Sequence, residues 1–320
     1  MRELLVTHDD LDGAGCRVIY EVAHENFKKG VDYSVVNVAI PDIQQAINDR
    51  LMDGTIVPNE TFITFADLCP KEETLLDLQD KGINFVVYDH HSTATWANEK
   101  FPEDCNVIVA DEDGVLEAGT SLLFKAISIR YPLASKFAEC VRYYDTYLWK
   151  NLGLLEPKQM QTLFYLLGMD RFCNMYVERI INSSEGTDLF DHTHMAFISA
   201  RLEAEQKSID TFITESKVYE FVIEPEGYRC AMTIGGSGVN ISELANQWLI
   251  AHPEFDCFAI YLPNYPSISF RSVKDDVNVA QLCKRLGGGG HPKAAGVSLS
   301  TDTTTHVYEY VASLINEREE

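Results

Sequence analysis

Three short runs in this chain bring carboxylates and imidazoles together: His8-Asp9-Asp10-Leu11-Asp12, the aspartate of Phe65-Ala66-Asp67, and Asp89-His90-His91. A further carboxylate, Asp145, follows in Tyr143-Tyr144-Asp145-Thr146. Taken singly, each has an ordinary explanation, since an aspartate after a strand is usually a turn residue or a helix N-cap. Taken together, they are like charges that repel one another unless cations compensate. A mixed oxygen and imidazole set without thiolates suits manganese, iron or a similar divalent ion and argues against structural zinc. Two such ions roughly 3.5–4 Å apart, bridged by one aspartate, would polarise a phosphoryl oxygen and create a hydroxide nucleophile at neutral pH. The chemistry this implies is metal-assisted hydrolysis of a phosphate ester or anhydride.

Strand ends are what must hold these groups. Leu4–Thr7, Tyr33–Val38, Thr61–Phe65 and Asn84–Tyr88 read as strands, with Asn106–Val109 as a further candidate. Helical spacing over Ala14–Lys29, Asp42–Met52 and Glu72–Lys81 alternates with them. Such alternation predicts an α/β fold: a mostly parallel sheet with helices on both faces. Binding sites in such sheets form at the carboxyl ends of the strands, which is where the three runs fall. From Gly119 to about Asn182 the pattern is mainly helical, so Asp145 either decorates a helix surface or folds back onto the cluster.

The charged amphipathic stretch His194–Lys217 reads as a long connecting helix. Strands then return at Val218–Ile223, Arg229–Ile234, Cys257–Leu262 and Ile268–Ser272, with helices at Ile241–Ala251 and Val277–Leu286. The organisation expected is a first domain over residues 1–190, a connecting helix over 191–217, and a smaller α/β domain over 218–320.

The second domain carries its own signal, Gly287-Gly288-Gly289-Gly290-His291-Pro292-Lys293-Ala294-Ala295-Gly296. A glycine run lets backbone amides approach phosphate oxygens closely, or else serves as a linker. A helix directly before it and a strand at Val297–Leu299 directly after it weaken the linker reading. Arg271, at a strand end, is either a second phosphate contact or a surface arginine. Gly235-Gly236-Ser237-Gly238 is a weaker signal, a loop before a helix.

Composition narrows the substrate. The chain of 320 residues is 46% apolar and carries a formal charge of −23, with no basic track. Proteins that grip long nucleic acids normally need such a track, because phosphate contacts dominate their affinity. A small substrate needs only a local cationic patch. No run of about 18 apolar residues suggests a membrane span, and Met1-Arg2-Glu3 turns acidic too quickly for a signal peptide. The eight cysteines are scattered without a C-x-x-C pair, as expected of a cytoplasmic protein.

Asp10-Leu11-Asp12-Gly13, Asp67, Asp89-His90-His91 and Asp145 resemble, in order, the four motifs of the DHH phosphoesterases. Gly287–Gly296 is similar to the GGGH-x-x-AAG signature of the DHHA1 domain. The resemblance implies a DHH domain joined by a helical linker to a DHHA1 domain. It also implies one metal on His8, Asp10 and Asp67, and another on Asp12, Asp67, His90 and Asp145, with Asp67 bridging. Asp89 would orient the histidine, and His91 would face the scissile phosphate. Gly288, Gly289, Gly290, His291 and Arg271 would hold substrate.

Within the superfamily, pyrophosphatases and exopolyphosphatases carry a different C-terminal domain. RecJ-type exonucleases add nucleic-acid-binding domains, and membrane-anchored cyclic-dinucleotide phosphodiesterases add transmembrane segments. Thr7–Cys16 looks most like the nanoRNase B-like branch. The function implied is Mn2+-dependent hydrolysis of short oligoribonucleotides or dinucleotides such as pGpG or pApA, with Mg2+ as another possible ion. The alternatives are a 3′-phosphoadenosine 5′-phosphate phosphatase and a non-catalytic nucleotide sensor. No long duplex nucleic acid and no membrane is expected as a partner; assembly as a homodimer stays open.

Overall fold

Short, largely buried strands alternating with helices build the first part of the chain. The computed structural model describes residues 2–26, 30–235, 239–263 and 266–299. Two units are distinguished, Met1–Ser199 and Ala200–Glu320.

In the first unit the order is β1 (Arg2–Thr7), α1 (Leu11–Asn26), β2 (Asp32–Asn37), α2 (Ile43–Met52), β3 (Thr61–Ala66), α3 (Glu72–Asp80), β4 (Asn84–Asp89), α4 (Trp96–Lys100) and β5 (Cys105–Val107). Helices follow: α5 (Gly119–Ile127), α6 (Pro132–Asp145), α7 (Leu148–Leu152), α8 (Glu156–Leu167), α9 (Met169–Ile181) and α10 (His192–Glu215). The boundary between the units falls inside α10.

The sheet order is β2-β1-β3-β4-β5, and every neighbouring pair is parallel. The period of two along a strand sorts its side chains. Leu4 and Val6, Ile63 and Phe65, and Phe85 and Val87 share one buried cluster with Ile43 and Ile47 of α2 and Leu75 and Leu78 of α3. On the helical side, α1 packs against α5, α6 and α9. The α/β architecture with a mostly parallel sheet is therefore as expected. The fifth strand is Cys105–Val107 rather than Asn106–Val109, because its ladder with β4 stops where Val107 pairs with Asp89. The first helix is described to Asn26; residues 27–29 lie outside the described residues.

The second unit contains β6 (Tyr219–Ile223), β7 (Tyr228–Ile234), α11 (Ile241–Ala251), β8 (Cys257–Leu262), β9 (Ser267–Arg271), α12 (Val279–Arg285), β10 (Gly289–His291) and β11 (Ala294–Ser298). Its mixed sheet runs β10-β11-β9-β8-β7-β6, with only β7 and β8 parallel among these pairs. Alternation again assigns faces. Cys257 and Ala259 join the cluster with Val279, Leu282 and Cys283 of α12, while Phe258 and Ile260 join the one with Leu244 and Trp248 of α11. The glycine run is partly strand: β10 pairs with β11 as an antiparallel hairpin, and the strand expected at Val297–Leu299 begins at Ala294. Gly236-Ser237-Gly238 lies outside the described residues.

Candidate metal centre

Register brings the reactive side chains together. Thr7 pairs with Ala66 across β1 and β3, and Ala66 with Tyr88 across β3 and β4. His8, Asp67 and Asp89 therefore emerge at one level of the same sheet edge. Chain order reverses there, since β1 lies between β2 and β3, and open α/β sheets bind ligands at such a switch point.

His8 Nδ1 lies 3.0 Å from Asp10 Oδ2. His90 Nε2 lies 3.2 Å from Asp67 Oδ1, 3.5 Å from Asp145 Oδ2 and 3.7 Å from Asp12 Oδ2. Ligand-type atoms gather within 4.8 Å of one another in three groups: His8, Asp10 and Asp67; Asp12, His90 and Asp145; and Asp67, Asp89, His90 and His91. Asp145, the last residue of α6, thus folds back onto the strand ends rather than decorating the helix surface.

Asp89 has a separate task. Its Oδ1 accepts from the backbone amides of His90 at 2.8 Å and His91 at 3.4 Å, and meets His91 Nδ1 at 2.7 Å. The His91 ring is thereby fixed, leaving Nε2 for a further contact, while the His90 ring faces the aspartates.

The electrostatics are those of a cation site. Burial pushes the Asp67 carboxyl well above its usual range, and Asp12 and Asp10 push it further. Asp145 is raised well above its usual range by the same causes. Asp67 Oδ2 is buried without a hydrogen-bond partner, and Asp67 adopts a left-handed backbone with φ of 61°, a conformation aspartate tolerates better than most residues. Burial lowers His90, keeping the imidazole neutral as a ligand requires. An orphaned buried carboxylate oxygen among mutually repelling aspartates, with imidazoles and no thiol in the groups, fits divalent cations of the manganese and magnesium kind.

Gly119 and Thr120 were not singled out from the sequence, yet they hold Asp12. Their backbone amides donate to Asp12 Oδ2 at 2.6 Å and Oδ1 at 2.9 Å, and Thr120 Oγ1 donates to the Asp12 carbonyl at 2.8 Å. These amides are the first of α5, whose positive end favours a carboxylate. The small-residue run Ala118-Gly119-Thr120-Ser121 was the available signal. Asn37 at the end of β2 likewise donates to the His8 carbonyl at 2.8 Å.

The residues expected to hold substrate lie in the second unit. His291 pairs with Ala294, and Ala294 with Arg271, so Arg271 and His291 share one row across β9, β11 and β10. His291 is exposed. Arg271 donates to Ser242 Oγ at 3.1 Å and to Ser269 Oγ at 2.7 Å. A Cβ at Gly288 would run into the Gly296 carbonyl oxygen, and one at Gly290 would lie 2.6 Å from the Ala294 oxygen, whereas one at Gly289 would meet nothing.

The chain is 31% identical over 318 residues to oligoribonuclease NrnB of Bacillus subtilis (strain 168), covering 95% of this chain and 74% of that protein. It belongs to the DHH/DHHA1 phosphoesterase superfamily, in the nanoRNase B-like branch. No protein-family model matches it. Among solved structures, RecJ of Thermus thermophilus in complex with Mn2+ aligns with a TM-score of 0.56 at 12% identity, covering 99% of this chain and 52% of RecJ. The pGpG-specific phosphodiesterase PggH of Vibrio cholerae aligns with a TM-score of 0.50 at 14% identity, covering 99% of each chain. At such identities these likenesses show a shared DHH-type fold. Among the described residues, no helix is long and apolar enough to cross a membrane.

Proposed function

We propose that this DHH-family hydrolase cleaves short oligoribonucleotides, dinucleotides such as pGpG and pApA included, to mononucleotides, with manganese as its working ion. The observation that carries this reading is the convergence of His8, Asp10, Asp12, Asp67, His90 and Asp145 at one sheet edge, in a chain related over 95% of its length to an oligoribonuclease. His8, Asp10 and Asp67 are assigned to one cation, and Asp12, Asp67, His90 and Asp145 to the other. Bound there, the cations supply Lewis acidity toward a phosphoryl oxygen and make water acidic enough to attack at neutral pH.

The chain's own residues do the rest. The α5 amides hold Asp12 in place. The hydrogen bond with Asp89 raises His91 above its ordinary pKa and turns its Nε2 outward, where it would meet the scissile phosphate or the leaving oxygen. Arg271 and Gly288–His291 of the second unit are assigned to binding the rest of the substrate.

Purified protein with Mn2+ and an end-labelled RNA ladder tests the reading. The rate per end should peak at roughly two to five nucleotides and fall for longer RNA, because a chain charged −23 repels a long polyanion. Salt should partly relieve that penalty by screening. Efficient digestion of long single strands at low salt would contradict it. Turnover of 3′-phosphoadenosine 5′-phosphate without dinucleotide turnover would replace it with a nucleotide phosphatase.

A further inference from the structure

A cavity of about 460 Å³ opens beside the metal centre in the first unit, and Asp89 and His91 form its inner wall. Its floor is apolar: Leu68 and Ala94 are buried, and Trp96 lines it half-buried. Trp96 is braced from behind by an edge contact with Phe101, ring centroids 6.5 Å apart. On the rim stand Lys71 and Glu73, both exposed. Neighbouring Glu72 is neutralised by Lys100, while Lys71 pairs with no carboxylate among the described residues. The cavity's size and its apolar floor beside a polar, charged wall suit a ligand that is flat and apolar at one end and polar at the other.

We propose that this cavity is a nucleoside subsite, in which Trp96 provides a stacking surface for a base and Lys71 a cationic contact for the attached phosphate. The inference rests on the reading of the centre as a phosphodiesterase site, and continuity names the occupant. His91 itself lines the cavity, so a phosphate held there carries its ester-linked sugar into the cavity, and the base follows the sugar onto the floor. An aromatic floor is tolerant of base identity, because every base offers a π-face. The subsite thus explains how a strongly acidic protein without a basic track holds a short polyanion: stacking supplies affinity that phosphate contacts do not.

Calorimetry on Mn2+-loaded protein isolates the base. Adenosine 5′-monophosphate should bind about tenfold more tightly than ribose 5-phosphate, the usual scale for one stacked base. Trp96→Ala should erase that preference, and Trp96→Phe, which keeps a ring against Phe101, should restore part of it. In steady-state hydrolysis of pApA, Trp96→Ala should raise KM about tenfold with kcat nearly unchanged. Lys71→Gln should raise KM and flatten its dependence on salt. Equal binding of the two phosphates by the wild type, or a base preference unaltered in folded Trp96→Ala and Trp96→Phe, would overturn the subsite. A Trp96-dependent base preference in a protein that leaves pApA intact would support the subsite and sink the hydrolytic reading instead.

Discussion

Gly119 donates its backbone N–H to Asp12 at 2.6 Å across 107 positions of sequence, joining the start of α5 to the Asp12 carboxylate. A Cβ at Gly119 would lie 2.5 Å from Asp67 Cβ and 2.7 Å from its Cα. Gly119→Ala must therefore push α5 off Asp12 or displace Asp67. Losing an outer partner of a ligand typically costs ten- to a hundredfold in metal affinity, so a loss of about a hundredfold is expected. Calorimetric titration with Mn2+ measures it. Wild-type affinity in Gly119→Ala would separate Asp12 from the cation site.

Asp67 belongs to two of the ligand groups and His8 to one. Asp67→Asn should abolish binding of both ions or their productive spacing, and hydrolysis with it. His8→Ala should be milder, since Asp10 and Asp67 remain. Mass spectrometry under native conditions counts the ions. Two bound ions and full turnover in Asp67→Asn would end the bridging assignment.

The glycine hairpin of the second unit separates binding from folding. Gly288→Ala should destabilise by roughly 1–3 kcal/mol, because its Cβ runs into the Gly296 carbonyl. Gly289→Ala should melt close to the wild type, since its Cβ meets open space. His291→Ala should raise KM for a dinucleotide and leave a generic nitrophenyl phosphate ester nearly untouched. Equal losses on both substrates would put His291 in the chemistry rather than in binding.

Asp256 ties β7 to the segment that follows β9. It accepts from the Arg229 amide at 2.7 Å and from Lys274 Nζ at 2.7 Å. Burial raises its pKa, but these donors outweigh burial and leave it below the ordinary carboxylate range. A depressed folded value means the stabilisation is present above the unfolded pKa, about 4, and fades as pH falls through the folded value. Asp256→Asn should therefore cost about 1 kcal/mol or less at neutral pH, the ion pair being screened by solvent, with the gap to wild type narrowing in acid. Hydrogen exchange at β7 and β8 reports it; a gap independent of pH would exclude the ionised carboxylate as its source.

Sequence by itself determined which strands end in ligand-type residues, because strand alternation is local and parallel strands must end at a common edge. The clusters His8–Asp12, Asp67 and Asp89–His91 were legible on that ground, as was the α/β class of both halves. Which of these residues would hold metal is implied only by the resemblance to the DHH phosphoesterases. Tertiary structure decided what depends on packing between distant segments. Asp145 reaches His90 because α6 packs with α5 and α1, a contact that no period within α6 encodes. The clasp of Gly119 and Thr120 on Asp12 and the cavity beside Trp96 arise the same way, from helix ends and loops laid against strand ends. The hairpin at Gly289–His291 escaped a local reading because glycine lacks the side-chain preference that marks strands, and its pairing with Ala294–Gly296 exists only once the sheet has formed.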